Sequence, residues 1–141
     1  MILQLLFLFI FGTIIGSFLS VIIPRLHDDI PGIITGRSHC SNCKKQLTAK
    51  ELIPLISYVI LRGKCSECNK FISKFYPIIE FTTGTGFALS LILFKDMGFN
   101  PFSFTDINIS LTTDLLLFTF WLFLLSVLIY IFFYDARYYE I

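Results

Sequence analysis

Residues 1–23 carry no charged side chain, and Gln4 is the most polar among them. About 20 consecutive apolar residues cross the roughly 30 Å hydrocarbon layer of a bilayer as a helix. Two more runs of this kind follow: residues 78–94, with Glu80 near the start, and residues 115–134, with no charge at all. Three spans in 141 residues predict an all-α integral membrane protein and one structural unit. Composition agrees, since only 15% of residues are charged, against about 25% in ordinary soluble domains. The first run is not patterned as a cleaved signal peptide, which needs a basic n-region. Here the first basic residue, Arg25, comes after the apolar run. Gly12, Gly16, Ser17 and Ser20 fall on one side of this helix, a spacing of small residues that lets a second helix approach closely.

Between the first two spans lies a polar insert, residues 24–77. It holds nine of the eleven basic residues and four acids, a net +5, whereas residues 95–114 net −2. Lys and Arg collect in cytoplasmic loops. The expected topology is therefore an external N-terminus, a cytoplasmic insert, an external loop at 95–114 and a cytoplasmic end at 135–141. Pro31, Gly32 and Gly36 punctuate the start of the insert. Thr48 and Glu51 have capping-box spacing, but Pro54 interrupts any long helix. A short helix over 54–61, closed by Gly63, is expected instead, packed on the rest of the insert or laid along the membrane surface.

The insert contains all four cysteines, Cys40 and Cys43, then Cys65 and Cys68, with 21 residues between the pairs. Two Cys-x-x-Cys turns at this separation read as a zinc site. Each turn aims two thiolates at one cation, and two turns complete a closed tetrahedral shell of the structural type. Disulfides are disfavoured in a reducing cytoplasm. No βαβ setting supports a redox pair. His39 beside Cys40 is read as a surface or supporting residue, since four thiolates suffice.

Ionisable residues at the ends of apolar spans are costly and are functional candidates by default. Glu80 and Asp135 qualify. The blander reading of Asp135 is an interfacial charge paired with Arg137, and of Glu80 a helix cap or a partner for a basic residue of the insert. One aspartate cannot perform aspartic-peptidase chemistry, which needs two carboxylates sharing a proton.

In order, Gly16-Ser17-Phe18-Leu19-Ser20-Val21 with Arg25-Leu26, then Arg37-Ser38-x-Cys40-x-x-Cys43, Leu52-Ile53-Pro54-Leu55-Ile56-Ser57-Tyr58, Arg62-Gly63-Lys64-Cys65-x-x-Cys68 and Tyr76-Pro77-x-x-Glu80 form a series. Tyr134-Asp135 through Ile141 is a weaker sixth feature. The series resembles the N-terminal part of bacterial type IV prepilin peptidases, aspartic peptidases of family A24 that also N-methylate the pilin they cut. The resemblance implies an inner-membrane protein whose cytoplasmic insert binds zinc through Cys40, Cys43, Cys65 and Cys68. It further implies Asp135 as the first catalytic aspartate. Gly63 falls in a step associated with methylation, for which S-adenosylmethionine is the donor. The implied substrate is a prepilin or pseudopilin, in pilus assembly or secretion, and nucleic acid is not an expected partner. The family's second aspartate belongs to a Gly-x-Gly-Asp motif that these 141 residues do not contain. Ser20 and Arg137 also depart from common family residues. The expectation is thus part of a leader peptidase/methyltransferase, completed by further sequence or by a second polypeptide. The alternative is a non-catalytic, membrane-tethered zinc module that binds prepilins or assembly proteins.

Overall fold

The computed structural model describes residues 1–29, 36–40, 42–98 and 109–138, with side chains of the last segment from residue 113. Four α-helices and one 3₁₀ turn account for most of it: α1 (Ile2–His27), the 3₁₀ turn (Ala49–Leu52), α2 (Ile56–Ile60), α3 (Phe75–Asp96) and α4 (Ile109–Tyr138). Three of these are long and apolar enough to span a membrane, over Ile2–His27, Phe75–Asp96 and Thr113–Tyr138. The protein is an all-α integral membrane protein whose four-cysteine insert lies between α1 and α3. Residues 99–108 of the expected external loop, along with Pro31, Gly32 and the last three residues, lie outside the described residues.

α1 and α3 form the tight pair, because small residues remove side chains from the seam. A Cβ on Gly12 would stand 2.8 Å from the Gly84 Cα, and one on Gly16 would stand 2.8 Å from the Glu80 Cα. From the other side, a Cβ on Gly84 would meet the Thr13 methyl at 2.7 Å. With backbones this close, dispersion contacts and hydrogen bonds hold the helices together, since lipid supplies no hydrophobic drive between them. Ser20 and Thr83 are buried in the seam and satisfy their hydroxyls on their own helices, donating to the Ser17 and Ile79 carbonyls.

α4 leans on this pair along two apolar clusters. Phe118 and Leu122 pack with Leu8, Phe87 and Leu91 at one end. Ile129 and Phe133 pack with Ile23 and Ile79 at the other. Beside the first cluster the Trp121 indole donates to the Ser90 hydroxyl at 2.9 Å. The helix ends fix the layout. His27 stacks on Tyr138 at 3.7 Å, and Arg137 lies 4.2 Å over the Phe75 ring. The end of α1, the start of α3 and the end of α4 therefore share the side of the molecule that carries the insert. At the opposite end Lys95 donates to Gln4 at 3.2 Å.

Several boundaries differ from the sequence reading: α2 is shorter than the expected 54–61, α3 starts three residues before 78 and ends two after 94, and α4 runs four residues past 134, so that Asp135 lies within it. α1 continues through Pro24 to His27, with the Asp28 amide bonded to the Pro24 carbonyl at 3.0 Å. Proline lacks a donor but still accepts, so the last turn closes around it. α4 begins at Ile109, six residues before the expected start of the span. Polar residues ahead of Leu115 simply extend the helix beyond its apolar stretch.

Candidate metal centre and flanking carboxylates

Each cysteine pair sits in a small turn built by the same hydrogen bonds. In the first, the Cys40 amide donates to the Lys45 carbonyl at 2.9 Å and the Lys44 amide to the Cys40 carbonyl at 3.0 Å. In the second, the Cys65 amide donates to Lys70 at 2.9 Å and the Asn69 amide to Cys65 at 3.1 Å. The outer rungs also correspond, Leu47 to Ser38 and Ile72 to Gly63. Lys44 (φ 59°) and Asn69 (φ 54°) hold equivalent left-handed positions. The insert is thus a pair of like turns offset by 25 residues, Cys40 onto Cys65 and Lys45 onto Lys70.

The two turns face each other. All four sulfurs lie within 4.8 Å of one another, with Cys40 to Cys68 at 3.8 Å and Cys43 to Cys65 at 3.9 Å. A tetrahedron with metal–sulfur distances of about 2.3 Å has edges of about 3.8 Å. The spacing therefore fits one tetrahedral cation and is far longer than a disulfide bond. His39 is not part of the cluster.

Electrostatics point the same way. The backbone amides of Cys43 and Asn42 hold the Cys40 thiol below its ordinary pKa. The Lys70 amide does most to bring Cys68 down to about 6. At Cys43 the Lys45 amide favours the thiolate, but loss of water and the other three sulfurs outweigh it and raise the thiol to about 11. Four sulfurs so close cannot all ionise against one another, and a central cation removes the conflict.

Polar braces lock the two turns together. Lys45 reaches across to donate to Ser66 at 2.8 Å and lies 3.8 Å from Glu67. Lys70 reaches back to Asn42 at 2.8 Å. Glu51 joins this network from the 3₁₀ turn. It accepts from Ser66, from the Thr48 amide at 2.8 Å and from the Thr48 hydroxyl at 2.9 Å. These bonds, with Ser66 first, hold its carboxyl at about 2. The expected capping box is present, and it closes a single 3₁₀ turn before Pro54.

Gly63 has φ +68°, and a Cβ there would stand 2.9 Å from the Tyr58 ring. Its amide closes the end of α2 on the Tyr58 carbonyl at 2.8 Å. Glycine is required at this step by conformation and by the ring that covers it. Glu80, buried on α3, accepts from the Leu55 backbone amide at 2.8 Å. The Ser17 side chain of α1 is a second hydrogen-bond partner, so the partners of Glu80 are neither a basic side chain nor its own helix end, the two roles weighed from sequence. Leu55 holds φ 59°, a strained turn whose amide has no place in α2. Asp135 is exposed on the last turn of α4, at the insert end. Arg137 turns away to the Phe75 and Tyr138 rings, and no ion pair joins it to Asp135 among the described residues. The structure thus gathers the four cysteines and leaves Asp135 and Glu80 as separate features of the same end.

Residues 10–94 match the family model described as the bacterial peptidase A24 N-terminal domain. The chain belongs to this family. Among the A24 relatives it resembles is the type 4 prepilin-like proteins leader peptide-processing enzyme of Escherichia coli O78:H11 (strain H10407 / ETEC), 34% identical over 104 residues, covering 62% of this chain and 39% of that protein. The prepilin leader peptidase/N-methyltransferase of Bacillus subtilis (strain 168) is 42% identical over 87 residues, covering 62% and 35%. That of Myxococcus xanthus (strain DK1622) is 44% identical over 78 residues, covering 55% and 23%. The A24 chain matches well under half the length of each of these relatives. No solved structure matches it.

Proposed function

We propose that this chain is the N-terminal part of a prepilin leader peptidase/N-methyltransferase. It would act at the cytoplasmic face of a bacterial inner membrane, cutting the leader from type IV prepilins or pseudopilins and methylating the new N-terminus. The observation that carries this reading is the A24 domain match over residues 10–94, which spans the four-cysteine cluster. The net +5 of the insert supports its cytoplasmic placement.

Under this reading Cys40, Cys43, Cys65 and Cys68 hold a structural zinc ion. A closed set of four thiolates offers no open position for substrate. The ion supplies folding energy to an insert with little core of its own. Peptide-bond chemistry falls to Asp135. One carboxylate of a dyad takes a proton from water while the other, protonated, polarises the scissile carbonyl. The second carboxylate comes from outside these residues. Asp135 is suited to its half of the work because it is exposed beside the membrane end of α4, where a leader joined to a hydrophobic helix would emerge. The proposed methyl donor is S-adenosylmethionine. The covered Cα of Gly63 gives that residue a conformational role, so a bulky side chain there would impair methylation through the fold of the second turn.

The test is processing by membranes that contain the chain together with the polypeptide segment bearing the second carboxylate. Incubated with a prepilin, they should release the leader and leave a mature N-terminus one methyl group heavier. Prepilin capture without cleavage or methylation would instead support the binding-module reading.

A further inference from the structure

We infer that residues 52–60 of the insert form an anchor in the lipid headgroup layer, seated beside α1 and α3. Leu55 is bonded to Glu80, which lies five residues inside α3, about 7.5 Å along its axis at 1.5 Å per residue. On the α1 side, Leu52, Ile53 and Pro54 share a cavity of about 460 Å³ with Ile14, Ser17 and Phe18. Ser17 precedes Arg25, the first charged side chain of α1, by eight residues, or about 12 Å of helix. Leu55 and Tyr58 line a second cavity of about 420 Å³ with Ile78 and Phe81 of α3. The segment therefore descends across the α1–α3 seam from the level of Arg25 and Lys74, which line the mouths of these cavities, to that of Ile14 and Phe81, with Glu80 capped by the Leu55 amide.

Its chemistry suits that level. Ile56, Val59 and Ile60 point outward, with Val59 and Ile60 each 73% exposed. Irregular backbone near hydrocarbon must have its polar groups satisfied within the protein. Here the Ser57 amide bonds to Ile53, Val59 to Leu55 and Leu61 to Ser57, and Glu80 takes the Leu55 amide. Exposed Arg62, Lys64 and Lys74 flank the segment. An apolar face rimmed by cations is the pattern of an element buried about 5–10 Å into an anionic bilayer surface.

Tryptophan fluorescence reads this directly. Trp121 is the single native tryptophan, so Val59→Trp is placed in a Trp121→Phe chain, with Ile60→Trp as a second variant should the first fail to fold. The full chain is reconstituted in phosphatidylethanolamine vesicles containing phosphatidylglycerol. Lipids brominated on the acyl chain should quench either tryptophan by roughly twofold or more, while aqueous iodide leaves it nearly unchanged. Strong iodide quenching with no effect of brominated lipid would overturn the anchor by placing the segment in water. Protection from both quenchers would overturn it by placing the segment under protein.

Discussion

At the scale of single residues, backbone conformation explains choices that charge and hydropathy do not. Gly63 combines φ +68° with a ring 2.9 Å from any added Cβ. Left-handed geometry alone costs an L-residue roughly 1–2 kcal/mol. Gly63→Ala should therefore lower stability by at least about 1–2 kcal/mol, seen as weaker metal retention and a lower thermal midpoint. A Gly63→Ala protein with unchanged metal retention would contradict this role. Glu51 makes a different prediction. Its carboxyl falls from an ordinary 4.5 to about 2 because Ser66 and Thr48 donate to it. The folded state thus favours the ionised form, so this contribution is complete above pH 4.5 and is lost as pH falls towards 2. The gap in thermal midpoint between wild type and Glu51→Gln should be steady near neutrality and shrink below pH 4.5. A gap that widens on acidification would show that the carboxylate is not the stabilising form.

At the scale of elements, Glu80 joins the membrane helices to the insert. Removing its acceptor would leave the Leu55 amide buried and unpaired, at about 1–3 kcal/mol. Glu80→Leu should accordingly make residues 52–60 protease-sensitive, while Glu80→Gln, which keeps a carbonyl oxygen, should change little. Equal effects of the two variants would count against the bond. This feature also marks the limit of what could be read from sequence. Long uncharged runs announce membrane helices because lipid satisfies no backbone group, and paired Cys-x-x-Cys turns announce a metal centre because so few side chains can complete its shell. Gly12 and Gly16 likewise mark the α1–α3 seam, and the Thr48–Glu51 spacing marks its turn. A backbone amide, however, has no letter of its own, so Leu55 as the partner of Glu80 was invisible. The correspondence of the two cysteine turns extends to Ser38 with Gly63 and Leu47 with Ile72. Those residues differ in type, and only their hydrogen bonds reveal the match. The early start of α4 was hidden because polar residues can continue a helix past the membrane.

At the scale of the whole molecule, two helices set a rigid seam, a third leans on it, and the insert is fastened at the end they share. The metal reading predicts about one zinc per chain. Chelation or Cys65→Ser should remove the ion and expose the insert to proteolysis while the helix content of the spans persists. Metal-free protein with an equally protected insert would contradict a structural ion. The proposed function separates this scaffold from the chemistry, which it gives to Asp135. Its most direct test is the rate of prepilin leader cleavage by the assembled enzyme carrying Asp135→Asn. The account predicts a fall on the order of 10²–10⁴-fold, the range for loss of an acid–base group, with zinc content unchanged. Cleavage at the wild-type rate by a folded, zinc-loaded Asp135→Asn enzyme would contradict it.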